Sequence, residues 1–246
     1  GVAGAFALML APFTLVGPFA GVLLDRWRRR QVLAAGNAVR LVLAGGMAAV
    51  MLTVGLAGAG EAAVVVLGLA ALSVNRFLLA ALSAGQPRVV DGPLLLTANS
   101  LTPTLGAGAV FLGGGVGFVL GLGLPPGRVQ DAAALVCAAV AFGTAALLAL
   151  RLGRDQLGPE HPARGRLGAE VAAVTRGLVD GARYLVARRT PGQGLLGMAA
   201  HRFLYGVVFI AAILISRNLL AEPGNTSAGL ANFALVIAIT GVGGAC

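Results

Sequence analysis

Charge is what this chain has least of. Only 11% of its 246 residues are Asp, Glu, Lys or Arg, against about 25% in an ordinary soluble domain. A soluble globule of this size needs many charged side chains on its surface, so a soluble fold is excluded. Lysine is absent, and all 18 basic residues are arginines. That rules out a phosphate loop built around a lysine. The two cysteines, Cys137 inside an apolar run and Cys246 at the last position, have no CxxC or Cys/His neighbourhood. No disulfide framework and no metal site is expected, and no cofactor is implied. A membrane-embedded enzyme would need His, Asp or Glu clustered at one depth. The two histidines and nine acids are scattered over loops and span ends, and no acid lies near the middle of any span.

What is present is apolar: 58% of the residues are AVILMFWYC and 38 more are glycine. A bilayer core about 30 Å thick takes about 20 helical residues, and that yardstick parses the chain. Seven runs meet it: Val2 to Leu24, Val32 to Ala57, Ala62 to Leu82, Ser100 to Leu122, Ala132 to Leu150, Leu195 to Ser216, and Ala228 to the end. They are too long, and alternate too little, for outer-membrane strands. The expected class is an all-α, multi-pass membrane protein with about seven transmembrane helices.

The net charge of +9 would point a soluble protein toward nucleic acid. Here the arginines sit mainly in the connections between runs, the pattern of membrane topology, so no nucleic-acid partner is expected. Alternate connections carry 13 arginines against 2. By the positive-inside rule the richer set is cytoplasmic and Gly1 begins on the outer face. An earlier span is therefore expected before it, making the chain a fragment of a longer protein. Five spans occupy residues 1–151 and two occupy 195–246. Between them, residues 152–194 form the one candidate boundary. This connection turns periodic from Gly168 to Arg189, with Val171, Val174, Leu178, Ala182 and Leu185 on one helical face. An amphipathic helix on the inner leaflet or a solvated linker helix would both produce that pattern.

The most informative stretch is Gly21-Val-Leu-Leu-Asp25-Arg26-Trp-Arg28-Arg29-Arg30, at the inner end of the first run. Gly21 lets a neighbouring helix approach closely, and Asp25 can accept hydrogen bonds from a helix N-terminus or pair with an arginine. The basic cluster can anchor the loop at anionic headgroups. Topology anchoring and a gating role are both open on these residues alone.

This stretch resembles the loop between helices 2 and 3 of the major facilitator superfamily, G-x-L-x-D-R-x-G-R-R. Gly21, Leu23, Asp25, Arg26, Arg29 and Arg30 match it, and Arg28 stands where the family has glycine. Pro12-Phe-Thr-Leu-Val-Gly-Pro18, Pro87-Arg88-Val-Val and Leu96-Thr-Ala-Asn99-Ser-Leu look like the bacterial drug-efflux type. The resemblance makes the seven spans helices 2 to 8 of a twelve-helix protein of two six-helix bundles. Residues 1–151 are then the first bundle without its first helix, 152–194 the central cytoplasmic loop, and 195–246 the start of the second bundle. It implies a multi-pass transporter of the cell membrane, monomeric at full length, that exports small amphipathic molecules by alternating access with proton antiport. Gly21, Asp25, Arg26, Arg29 and Arg30 would form a conformational latch. A non-transporting assembly or sensor protein on the same scaffold is the alternative.

Three further features concern the spans. Ala109, Gly113, Gly117 and Gly121 recur every fourth residue and give one helix a small-residue packing face. Arg40, about 12 Å inside its span, lines a cavity or pairs with Asp25 or Asp91. Arg76 loosely resembles a helix-4 arginine that the family associates with proton coupling, while His201 and Arg202 place an exchangeable proton near a span end. Structural pairing, snorkelling or interfacial hydrogen bonding would account equally well for these three.

Overall fold

The computed structural model describes Phe19, Val22, Leu24 and residues 26–55, 57–158, 167–220 and 226–243. Seven helices run through them: α1 (Arg29–Thr53), α2 (Ala59–Val89), α3 (Leu95–Gly123, entered by a 3-10 turn at Gly92–Leu94), α4 (Arg128–Arg151), α5 (Leu167–Ala187), α6 (Arg189–Asn218) and α7 (Thr226–Gly243). No strand occurs among the described residues. The first apolar run lies almost wholly outside them, although Phe19, Val22 and Leu24 are helical. Among the described residues five helices are long and apolar enough to cross a bilayer: Arg29–Thr53, Ala59–Val89, Gly92–Gly123, Arg128–Arg151 and Thr190–Asn218.

α2 and α4 outrun the apolar segments that nucleate them because their ends carry charges suited to the helix dipole. Glu61 lies in the first turn of α2 and Arg88 in its last; Asp131 and Arg151 flank α4 in the same sense. Each such pairing favours one more turn beyond the apolar stretch. The first turns of α1, α3, α6 and α7 hold no acid, and the N-cap of α1, Arg28, makes no side-chain cap bond.

The chain forms two compact units, one from Leu8–Val174 and the other chiefly from Thr175–Cys246. In the first, α1 packs against both α2 and α4. Small residues set the spacing. A Cβ at Gly36 would fall 2.5 Å from Leu78 Cδ2, and one at Gly143 would fall 2.7 Å from Leu41 Cδ1. Alanine at either place would have to displace a packed leucine. The core gathers at one end of this unit, where Leu24, Val32, Leu33, Leu78, Ala81, Ala149 and Leu157 bury each other. The start of α1, the end of α2 and the end of α4 therefore share one side. At the opposite side the Arg128 guanidinium covers Gly55, in the loop that joins α1 to α2. The described connections at 26–28, 90–91 and 152–158 thus lie on one side of this unit.

In the second unit α7 folds back on α6. Phe209 meets Phe233 edge to face with centroids 5.5 Å apart, and Asn232 Nδ2 donates to the Leu220 carbonyl at 2.7 Å. α5 spans the boundary at 174/175. It begins and ends within two residues of the amphipathic segment read from the sequence, and it carries Glu170 in its first turn.

Candidate functional site

The arginine-rich loop before α1 is not splayed toward solvent. Successive arginines reach different partners, each far away in sequence. Arg26 Nε pairs with Glu170 Oε2 at 3.0 Å, linking the loop to the start of α5, and both side chains are largely covered. Arg28 Nε lies 3.3 Å from Asp155 Oδ1 in a more exposed pair. Arg29 is buried: its Nη1 donates to the Leu157 carbonyl at 2.9 Å and its backbone N–H donates to the Gly158 carbonyl at 3.0 Å. Arg30 Nη2 donates to the Leu150 carbonyl at 2.8 Å.

Two helix-end problems are solved at once by this clasp. The final carbonyls of α4 have no partner within their own helix, and Arg30 supplies a charged donor to one of them. The first N–H groups of α1 are equally orphaned, and the Gly158 carbonyl caps one where no side chain does. Gly158 makes this possible with φ +72°, and a Cβ there would meet Arg88 Nε at 2.9 Å and Arg29 Nη1 at 3.3 Å. A backbone in that region, pressed between two guanidinium groups, favours glycine.

Next to the clasp an apolar cavity of about 430 Å³ opens between Trp27, Val32, Gly36, Val39, Val74 and Phe77, with Gln31 as its polar member. Among the described residues no three His, Cys, Asp or Glu side chains come together as a metal site would require.

Comparison with known proteins settles the family. No family model matches the chain, and no solved structure matches it. Two curated relatives do: an uncharacterized MFS-type transporter of Mycobacterium bovis and one of Mycobacterium tuberculosis. Each is 36% identical over 242 residues, covering 98% of this chain and 53% of the relative. The chain belongs to the major facilitator superfamily.

This facilitator chain spans about half the length of the curated relatives it matches, and its apolar helices make it a multi-pass membrane protein. Of the latch residues read from the sequence, Arg26, Arg29 and Arg30 come together in the clasp. Gly21 and Asp25 lie outside the described residues.

The other facilitator residues singled out from the sequence are dispersed. The Arg40 guanidinium stacks 3.7 Å from the ring centroid of Phe142 on α4, and its Nη1 reaches Asn37 Oδ1 at 3.5 Å. Asp91 is not among its partners, and Asp25 is not described. Arg76 lies on the exposed side of α2, between core neighbours Val74 and Leu78. His201 and Arg202 are exposed on α6. Ala109, Gly113, Gly117 and Gly121 line an exposed face of α3. Gly113 and Gly117 have open space where a Cβ would stand, while Gly121 has Gln130 Nε2 at 3.2 Å from that position.

Reading the sequence did not single out Asp155, Leu157, Gly158 or Glu170. A signal for the acids existed: Asp155 and Glu170 fall in the connection richest in arginine, where an acid is an ion-pair candidate. The carbonyls of Leu157 and Gly158 carry no side-chain signature at all.

Proposed function

We propose that this facilitator chain is part of a secondary transporter of the cell membrane that exports small amphipathic molecules by alternating access, with proton antiport as its drive. The observation that carries the reading is the clasp. Rocking of one bundle against another needs each bundle to move as a body. Arg26, Arg29 and Arg30 tie the loop before α1 to the end of α4 and the start of α5, so a displacement of one is passed to the others. Gly21 and Asp25, adjoining this stiff end, act as the latch toward the opposite bundle. The apolar cavity beside Trp27 and Gln31 suits an amphipathic molecule. Arg76, His201 and Arg202 are the ionisable groups within spans offered for coupling. The working protein is a monomer whose partners are its substrate, protons and the bilayer.

Flux of a fluorescent amphipathic cation into proteoliposomes under an imposed pH gradient tests this, with the protein expressed from its native gene. Transport that collapses with the gradient is expected, and Asp25→Asn should lower it sharply while substrate binding persists. No flux under any gradient would remove the transport reading. Full flux in Asp25→Asn would remove the latch.

A further inference from the structure

Beside the clasp lies a second, smaller cavity of about 290 Å³, lined by Arg28, Arg30, Gln31, Leu150 and Arg154. Its volume is near the lower end of the roughly 300–1,000 Å³ usual for small-molecule sites. Its chemistry differs from the apolar cavity, because three of its five lining residues are cations. Among the described residues one acid stands nearby, Asp155, and it is already engaged by Arg28. Arg154 makes no ion pair among the described residues. Arg30 donates Nη2 to the Leu150 carbonyl, while its Nε is shielded from solvent and has no hydrogen-bond partner among the described residues. Three guanidinium groups lining one cavity carry positive charge that a single acid does not offset, and such a cavity calls for an anion.

Two more observations say which kind. The cavity adjoins the first turn of α1, a helix of 25 residues whose N-terminal end has no acid to offset its partial positive charge. That end and the guanidinium forks both favour a compact multi-oxygen anion over a single carboxylate. Its depth is equally specific. Val32 begins the apolar run of α1 and Leu150 ends that of α4, so the cavity sits at the level of a bilayer's headgroups.

We propose that Arg28, Arg30 and Arg154, with Gln31, form a binding site for the phosphate of an anionic phospholipid in the leaflet on the arginine-rich side. The lipid phosphodiester accepts from the guanidinium groups of Arg30 and Arg154, its acyl chains lie along the apolar helices, and Asp155 keeps Arg28 turned toward the site. Binding is a property separate from the transport reading, and it would hold in a protein of this chain that moved no substrate.

Trp27, the single tryptophan of the chain, is half exposed and adjoins Arg28. It serves as the probe. The protein expressed from its native gene, with any tryptophan outside this chain replaced by phenylalanine, is reconstituted in vesicles of phosphatidylcholine containing brominated phosphatidylglycerol or, in parallel, brominated phosphatidylcholine, and quenching of Trp27 reads local lipid occupancy. Brominated phosphatidylglycerol should quench more strongly at equal mole fraction. Each arginine removed should lower that preference about fivefold, so that it is lost in Arg30→Gln/Arg154→Gln. Arg183→Gln/Arg188→Gln removes the same charge from exposed positions elsewhere and should keep it. Arg154→Gln alone, which breaks no hydrogen bond of the clasp, carries the test if the double variant inserts poorly. Excess inorganic phosphate distinguishes the sources. A preference that survives it assigns the site to lipid, whereas one abolished by it keeps the phosphate site and assigns it to a soluble anion. Equal quenching by the two lipids, or a preference unchanged in both Arg30→Gln/Arg154→Gln and Arg154→Gln, overturns the proposal.

Discussion

Arg28 and Arg29 are neighbours of identical charge, yet the structure gives them unequal weight. Arg28 holds an exposed pair, its side chain 42% and that of Asp155 63% accessible, and such pairs contribute about 0–1 kcal/mol. Arg29 is 8% accessible and donates to the buried Leu157 carbonyl. A hydrogen bond from a charged group of this kind is worth about 1.5–3 kcal/mol, and removing the donor leaves the carbonyl unsatisfied. Arg29→Met keeps the aliphatic stem and deletes the guanidinium; Arg28→Met does the same one residue earlier. Both lose one charge, and nanodiscs of phosphatidylcholine alone hold no anionic phospholipid for Arg28 to engage, so membrane anchoring does not separate them. A difference of about 2 kcal/mol corresponds to roughly thirtyfold in the local opening equilibrium. Hydrogen exchange read by mass spectrometry in lipid nanodiscs reports that opening over residues 150–158, where the Gly158 amide donates to Asp155 and the Leu152 amide to Ala149. Exchange there should rise about thirtyfold in Arg29→Met and no more than about fivefold in Arg28→Met. Equal exchange in the two variants would refute the reasoning, since the clasp would then be held by charge and not by the buried donor.

Two further outcomes are expected. Phe142→Leu removes the ring over which Arg40 stacks and should destabilise the α1–α4 contact by about 1–2 kcal/mol in thermal denaturation, whereas Arg40→Leu/Phe142→Leu, which leaves no stranded cation, should be milder; a double variant less stable than Phe142→Leu would sink the assignment. In a background of Cys137→Ser/Cys246→Ser, cysteine at Pro126 should be labelled by an impermeant thiol reagent on intact cells and cysteine at Thr190 should not. Labelling at Thr190 alone would invert the topology.

The all-α class and the multi-pass character were legible because they are decided locally. The transfer of some 20 apolar residues into lipid depends on composition within a short window, and the hydrogen bonds of a helix close within four residues. The sidedness expected from counting arginines loop by loop rests on the same kind of local information, and the labelling at Pro126 and Thr190 is its test. Helix ends were less legible: α2 continues from Leu82 to Val89, and α6 starts at Arg189 ahead of Leu195. At the end of α2 a polar turn leaves the apolar pattern yet stays in the helix because Arg88 suits the dipole, whereas α6 begins on an arginine that does not. The family was legible through one loop motif, because that motif keeps residue types at fixed spacing. Only the tertiary structure decided the partners of that motif. Arg26 meets Glu170 across 144 residues, and Arg29 meets the Leu157 carbonyl across 128. A basic loop can face headgroups, a partner helix or a carbonyl with nearly the same local sequence. The choice is made when α1 packs antiparallel to α4 and the unsatisfied carbonyls at the end of α4 arrive within reach. Backbone acceptors have no side-chain identity, so no spacing of letters announces them.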